Sequence, residues 1–231
     1  MNDENIDFSL VLASSIHDMK NSLGLLLSSV DEFTDEYEIE DGHQADMLAT
    51  MRYEASRINR DLIHLLSIYR IRENQLAVSI DECNVLETIE DQLMLNEMLF
   101  RTKSIGAEID CSPDLMWYYD NEFVGSILNN LIVNGVRYTK SKIRISAVHH
   151  DGGLLIEFAD DGMGYPKNMI DTNNRVLDEL GPVSFGSGST ALGLYFAQQI
   201  ATHHRRGNKS GYVEMENGGE LGGGIFRLYL P

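Results

Sequence analysis

The chain has 231 residues, enough for one large or two modest domains, and its 18 Lys+Arg against 36 Asp+Glu give a net charge of −18. That balance excludes a nucleic-acid backbone or an anionic membrane as the main partner and favours cationic, metal-bearing or locally basic ones. Cys83 and Cys111 are too few for a disulfide framework or a cysteine-based zinc site, no apolar run approaches a membrane span of about 18–20 residues, and the acidic N-terminus does not read as a signal peptide. The expectation is a folded, soluble, cytoplasmic protein.

Of the 20 glycines only Gly24 and Gly42 precede residue 80, and the four prolines are Pro113, Pro166, Pro182 and Pro231. A first part with so little punctuation predicts long helices, and the later part predicts a mixed module. Leu12, Ile16, Met19, Leu23, Leu26, Val30 and Phe33 form a heptad seam. The acidic stretch 31–41, with Gly42 at its edge, is the expected turn. Met47, Met51, Ala55, Ile58, Leu62, Leu65 and Tyr69 then mark a second helix. Two helices bury too little surface alone, so two chains are expected to pair as a four-helix bundle; packing against the second module is the alternative. His17 falls at the edge of the seam, with Asp18 beside it and Asn21 one turn on. Neutral imidazole is a nucleophile near pH 7, and a neighbouring carboxylate can orient it or take its proton. A solvated or structural histidine satisfies the same pattern.

Beyond residue 82 the pattern predicts a helix over 85–103, strands at 107–110 and 116–119, a helix over 122–138, and strands at 142–149 and 154–159. A loop-rich segment over 162–190 follows, then a helix over 191–204 and strands at 212–215 and 225–230. Strands and helices without strict alternation favour an α+β sandwich. The methionines around Met94 and Met98 read as packing. His203 and His204 read as complements to a helix C-terminus rather than metal ligands.

Three clusters carry chemistry. In Asn129-Asn130-Leu131-Ile132-Val133-Asn134-Gly135-Val136-Arg137-Tyr138-Thr139, the i, i+4 amides of Asn130 and Asn134 share a helical face. Carbamoyl oxygens suit Mg²⁺, and Arg137 falls close enough to reach the same phosphates; buried hydrogen bonding is the alternative. Asp160-Asp161-Gly162-Met163-Gly164 follows an apolar strand, where an acid can accept a hydrogen bond from a base amino group. Gly162 and Gly164 let the backbone pass close to a ring or phosphate, although ordinary turns use the same residues. Gly186-Ser187-Gly188-Ser189-Thr190-Ala191-Leu192-Gly193-Leu194 leads into a helix whose N-terminus suits phosphate, or is simply capped by Ser189 or Thr190. No lysine follows a glycine, so there is no P-loop.

In this order the clusters resemble the bacterial sensor histidine kinases of two-component systems. His17-Asp18-Met19-Lys20-Asn21 looks like the H box, 130–139 is similar to the N box, and 160–164 and 186–194 are similar to the two glycine boxes. The ending from Gly211 to Pro231 resembles the family's final hairpin. The resemblance implies a dimerisation and histidine-phosphotransfer hairpin (1–78) and a Bergerat-fold ATP-binding domain (79–231). It implies ATP and Mg²⁺ as cofactors, Asp160 on the adenine amino group and Asn134, with Asn130, on Mg²⁺. Arg137, Tyr138, Gly162, Gly164, Gly186, Gly188, Thr190, Leu192, Gly193 and Leu194 would complete the nucleotide site. His17 would take the γ-phosphoryl group with Asp18 as proton acceptor or orienter, and Asn21 is the position associated with phosphoaspartate hydrolysis.

Two departures stand out: Ser22 replaces a common helix-kinking proline, and Gly135 replaces the usual alanine of the N box. The implied function is autophosphorylation of His17 and transfer to a response-regulator receiver domain, with phosphatase activity as a companion. An ATP-independent phosphotransfer protein, a scaffold that sequesters a response regulator, and a chaperone-like or DNA-repair ATPase are the rivals. With about 16 residues before His17, input is expected from a separate sensor protein or small ligand.

Overall fold

The computed structural model describes residues 8–36, 42–73, 77–172 and 190–231. The chain divides into two units, Met1–Leu76 and Ala77–Pro231.

The first unit is a pair of long helices, α1 (Phe8–Glu36) and α2 (Gly42–Arg72), packed along each other. The sequence places the turn from residue 31, whereas α1 runs on to Glu36. Phe33 continues the seam there, Thr34 Oγ1 donates back to Val30 O at 3.1 Å, and Asp31 pairs with Arg52 of α2 at 3.1 Å. Much of the seam stays open in a single chain: Met19, Leu26, Phe33, Met47, Met51 and Ile58 are each about half exposed.

The second unit is built on a five-stranded mixed sheet in the order β2 (Gly106–Cys111), β4 (Lys142–His150), β5 (Gly153–Asp160), β9 (Gly224–Leu230), β8 (Tyr212–Asn217). Only the β2–β4 pair is parallel. The two-residue period of the strands sorts the two faces. Ile143, Ile145 and Ala147, then Leu154, Ile156 and Phe158, then Phe226, Leu228 and Leu230 lie in register on one face and are buried. That face is covered by helices α5 (Asn121–Tyr138) and α7 (Thr190–His203), whose Val124, Ile127, Leu128, Phe196 and Ile200 complete the core, and α3 (Val85–Leu95) packs on α5. The opposite face carries a charge ladder, with Arg227 to Glu157 at 2.8 Å and Glu216 at 2.6 Å, and Lys142 to Glu108 at 2.6 Å.

The α+β sandwich is therefore as expected, with local corrections. The helix expected over 85–103 is two, α3 and α4 (Glu97–Lys103), broken at Asn96. Its amide donates to Gln92 O and to Asn129 Oδ1, both at 2.8 Å, competing with the helical ladder. The break leaves Met94 and Met98 each 73 % exposed, so they are not packing residues as expected. A strand absent from the sequence reading, β1 (Asp81–Asn84), pairs with β3 (Met116–Tyr119). A small hairpin, β6 (Arg205–Arg206) with β7 (Lys209–Ser210), turns at Gly207, φ +62°. The segment expected as loop contains α6 (Lys167–Thr172). His203 and His204 each turn Nδ1 toward a carbonyl oxygen of the last turn of α7, at 2.8 Å.

Candidate functional site

The site gathers where the C-terminal half of α5 crosses the end of β5. Asp120 caps α5, accepting from Phe123 N at 3.0 Å, and the helix then runs unbroken through both asparagines to Tyr138. Asn130 is buried at 5 % exposure, and its Oδ1 accepts from Asn134 Nδ2 at 3.1 Å. The pair is thereby divided. Asn130 spends its oxygen inside the protein, while no donor among the described residues meets the half-buried Asn134 carbonyl oxygen. Gly193 of α7 packs directly on Asn130: a Cβ there would stand 2.2 Å from Asn130 Nδ2. Arg137 and Tyr138 are exposed, with the guanidinium 5.5 Å from the tyrosine ring centroid.

Asp160 and Asp161 behave oppositely. Asp160 is 8 % exposed at the end of β5, and its Oδ1 accepts from Gly162 N at 2.7 Å and Gly224 N at 3.2 Å. Both amides take the same oxygen, and among the described residues no hydrogen-bond donor meets Oδ2. Asp161 instead binds the turn ahead of β4. It accepts from Lys140 N at 2.9 Å, Ser141 N at 3.0 Å and Ser141 Oγ at 2.6 Å. Burial works to raise its pKa, but the Ser141 hydroxyl and the neighbouring amides outweigh it and hold the carboxyl at about 2. Asp161 is a structural acid.

Glycines surround Asp160 because protein atoms already fill the space a side chain would need. A Cβ on Gly162 would lie 2.5 Å from Tyr138 O, and one on Gly223 would lie 2.4 Å from Asp160 Oδ1. Gly164 has φ +76°. Tyr165, Asn217, Gly223 and Gly224 also frame the candidate site, and sequence reasoning missed them. The run Gly222-Gly223-Gly224 is the one signal that pointed to them.

Of the other expected residues, Leu192 and Leu194 lie half-buried in the first turns of α7. Thr190 begins that helix, with its side chain outside the described residues, as Gly186 and Gly188 are altogether. His17 lies in α1 with its side chain likewise outside the description; Asp18 and Asn21 are exposed on the same helix. Ser22 donates its hydroxyl to Asp18 O at 2.9 Å, the carbonyl that a proline at this position would leave without its helical partner. No cluster of His, Cys, Asp or Glu suited to a metal occurs among the described residues. The donor set therefore fits Mg²⁺ only as a shared ion, with the Asn134 oxygen beside nucleotide phosphates.

Residues 119–231 match the family described as "Histidine kinase-, DNA gyrase B-, and HSP90-like ATPase". Over 224 residues the chain is 23% identical to "Sensor protein SrrB" of Staphylococcus aureus (strain N315), covering 95% of this chain and 37% of that protein. The chain thus spans little over a third of this relative. Acinetobacter baumannii histidine kinase AdeS superposes with a TM-score of 0.61 at 18% identity, over 91% of this chain and 95% of that one. Full-length ShkA in complex with AMPPNP gives 0.66 at 20% identity, over 95% and 45%. Both likenesses are of fold. Among the described residues no helix is long and apolar enough to cross a membrane. A Bergerat-type sandwich, the ATPase-family match and similarity to a sensor protein over 95% of the chain agree: residues 119–231 belong to the histidine kinase-, DNA gyrase B- and HSP90-like ATPase family, and the chain as a whole is similar to bacterial sensor histidine kinases.

Proposed function

We propose that this chain binds Mg²⁺–ATP in the 79–231 region and transfers the γ-phosphoryl group to His17 in the 1–78 hairpin. An aspartate on a receiver domain then accepts it. The observation that carries this reading is the Asp160 carboxylate, fixed by two backbone amides on Oδ1, which leaves Oδ2 to accept from a base amino group. Asn134 offers its carbamoyl oxygen to Mg²⁺, Asn130 orients Asn134, and Arg137 supplies a cation at the phosphates. Mg²⁺, when bound, neutralises phosphate charge and aligns the leaving group. A His17 ring nitrogen attacks the γ-phosphorus, the bond to the β,γ-bridging oxygen breaks and ADP leaves. Asp18 takes the proton released from the other ring nitrogen. Asn21 is placed to position water for hydrolysis of the receiver's phosphoaspartate. The open heptad seam supports pairing of two chains into a four-helix bundle.

The test is incubation with γ-labelled ATP and Mg²⁺, then a chase into candidate receivers. Acid-labile, base-stable label is expected on the protein, absent in His17→Ala while that variant still binds ATP. Label that persists in His17→Ala overturns the assignment. Absent label with nucleotide still bound, in the unaltered chain, turns the reading toward a scaffold.

A further inference from the structure

The glycine box is held by a residue outside it. Asn217 ends β8, and its side-chain amide closes a two-bond ring with the backbone of Tyr165: Tyr165 N donates to Oδ1 at 2.6 Å, and Nδ2 donates to Tyr165 O at 2.8 Å. The amide thus pairs with the loop as one more strand residue would. It can do so only because residue 164 has no side chain: a Cβ on Gly164 would stand 2.5 Å from Asn217 Oδ1 and 2.6 Å from its Cγ. The Tyr165 ring, in turn, lies on Gly224, where a Cβ would be 2.9 Å from Cε2. Burial and the nearby Asp160 charge push the Tyr165 hydroxyl well above its ordinary range. Gly224 N also bonds Asp160 Oδ1, and Gly223 N bonds Asp160 O at 3.1 Å. Asp160, the 162–165 loop and the β8–β9 turn form one closed circuit, and the Asn217 amide is its cross-tie.

We infer that Asn217 is a positioning residue for the base end of the nucleotide pocket, and that Gly164 is required by this amide and by its own positive φ rather than by the nucleotide. The inference rests on the ATP-binding reading, so it needs two separate readouts in the full chain. Hydrogen exchange without nucleotide reads the cross-tie itself: the Tyr165 amide should be protected, and Asn217→Ala should remove that protection while the β5 amides keep theirs. Titration with ATP, ADP and adenosine reads its role. Asn217→Ala should weaken all three by a similar factor, about tenfold for two lost hydrogen bonds, because the base end is what moves. A general loss of stability would raise exchange across β5 as well.

The pair Gly164→Ala and Asn217→Ala supplies the decisive comparison. Gly164→Ala should cost less affinity in the Asn217→Ala background than alone, since the methyl group's nearest obstacle is gone. Additive losses, or protection of Tyr165 that survives Asn217→Ala, would overturn the inference. No nucleotide binding by the unaltered chain would instead remove the ATP reading and leave the exchange result standing for the cross-tie alone.

Discussion

Restoring alanine at residue 135 should harm this protein although alanine is the better helix former. Gly135 lies inside α5, one residue after Asn134, where glycine costs the helix about 1 kcal/mol relative to alanine. The structure supplies the opposing effect. A Cβ at 135 would stand 2.4 Å from Phe158 Cζ and 2.8 Å from Cε1, more than 1 Å inside ordinary carbon contact at Cζ, about 3.5–4.0 Å. Phe158 is 2 % exposed on β5, between β4 and β9, so the ring has nowhere to swing. Overpacking of this kind costs about 1–3 kcal/mol. The net expectation for Gly135→Ala is destabilisation by about 1 kcal/mol, seen as a Tm lower by about 2–4 °C. Trp117, the single tryptophan, lies in β3 of the same unit, so its emission during a thermal ramp follows this unit rather than the hairpin. In a Phe158→Leu background the same substitution should become neutral or stabilising, because the helix gain remains and the obstacle does not. A higher Tm for Gly135→Ala in the unaltered chain, or an equal loss in both backgrounds, would refute the reasoning.

The two adjacent acids should separate cleanly by assay. Asp160→Asn should reduce ATP affinity by about 100-fold or more, because an amide cannot offer Oδ2 as a charged acceptor. Asp161→Asn should lower thermal stability with affinity largely kept, and isothermal titration with a thermal ramp on each variant checks both. His204 supplies a pH dependence. It is buried, its Nε2 accepts from Asp120 N at 3.1 Å and its Nδ1 faces Ile200 O, so burial pushes its pKa below the ordinary value of 6.5. A depressed histidine contributes stability that is complete above about pH 6.5 and is lost as pH falls below it, when the unfolded chain takes the proton first. Stability measured from pH 8 down to pH 5 should fall, and the slope should shrink in His204→Gln; an unchanged slope sinks the assignment.

How much of this was legible beforehand depended on how local each cause is. The strands at 142–149, 154–159 and 225–230 were readable because alternation in the first and short apolar runs in the other two are written residue by residue. The break at Asn96 had a local signal too, an asparagine followed by glutamate, but its partner Asn129 lies 33 residues away. Gly207-Asn208 between Arg206 and Lys209 was an available turn signal for β6–β7. Nothing local marks β1, whose Asp81-Glu82-Cys83-Asn84 becomes a strand only by pairing with β3. The exposure of Met94 and Met98 followed from the same unseen break.

The sequence by itself determined the order of the chemistry: a histidine beside a heptad seam, two asparagines on one helical face, an acid at a strand end and small residues before a helix. These patterns depend on spacing along the chain, which local helix and strand geometry converts directly into facing. Tertiary structure decided which member of each pair does what. Asn130 is internal and Asn134 open because α7 packs through Gly193 onto one and not the other. Asp161 is a staple and Asp160 a site residue because the turn at 140–141 reaches only the former. Gly135 is a glycine because Phe158, distant in sequence, already occupies the space beside it, and at Gly164 the Asn217 amide adds the same exclusion to a positive φ. Exclusion between atoms brought together only by folding has no signature in local spacing, and here it selects which residues are left to meet a ligand.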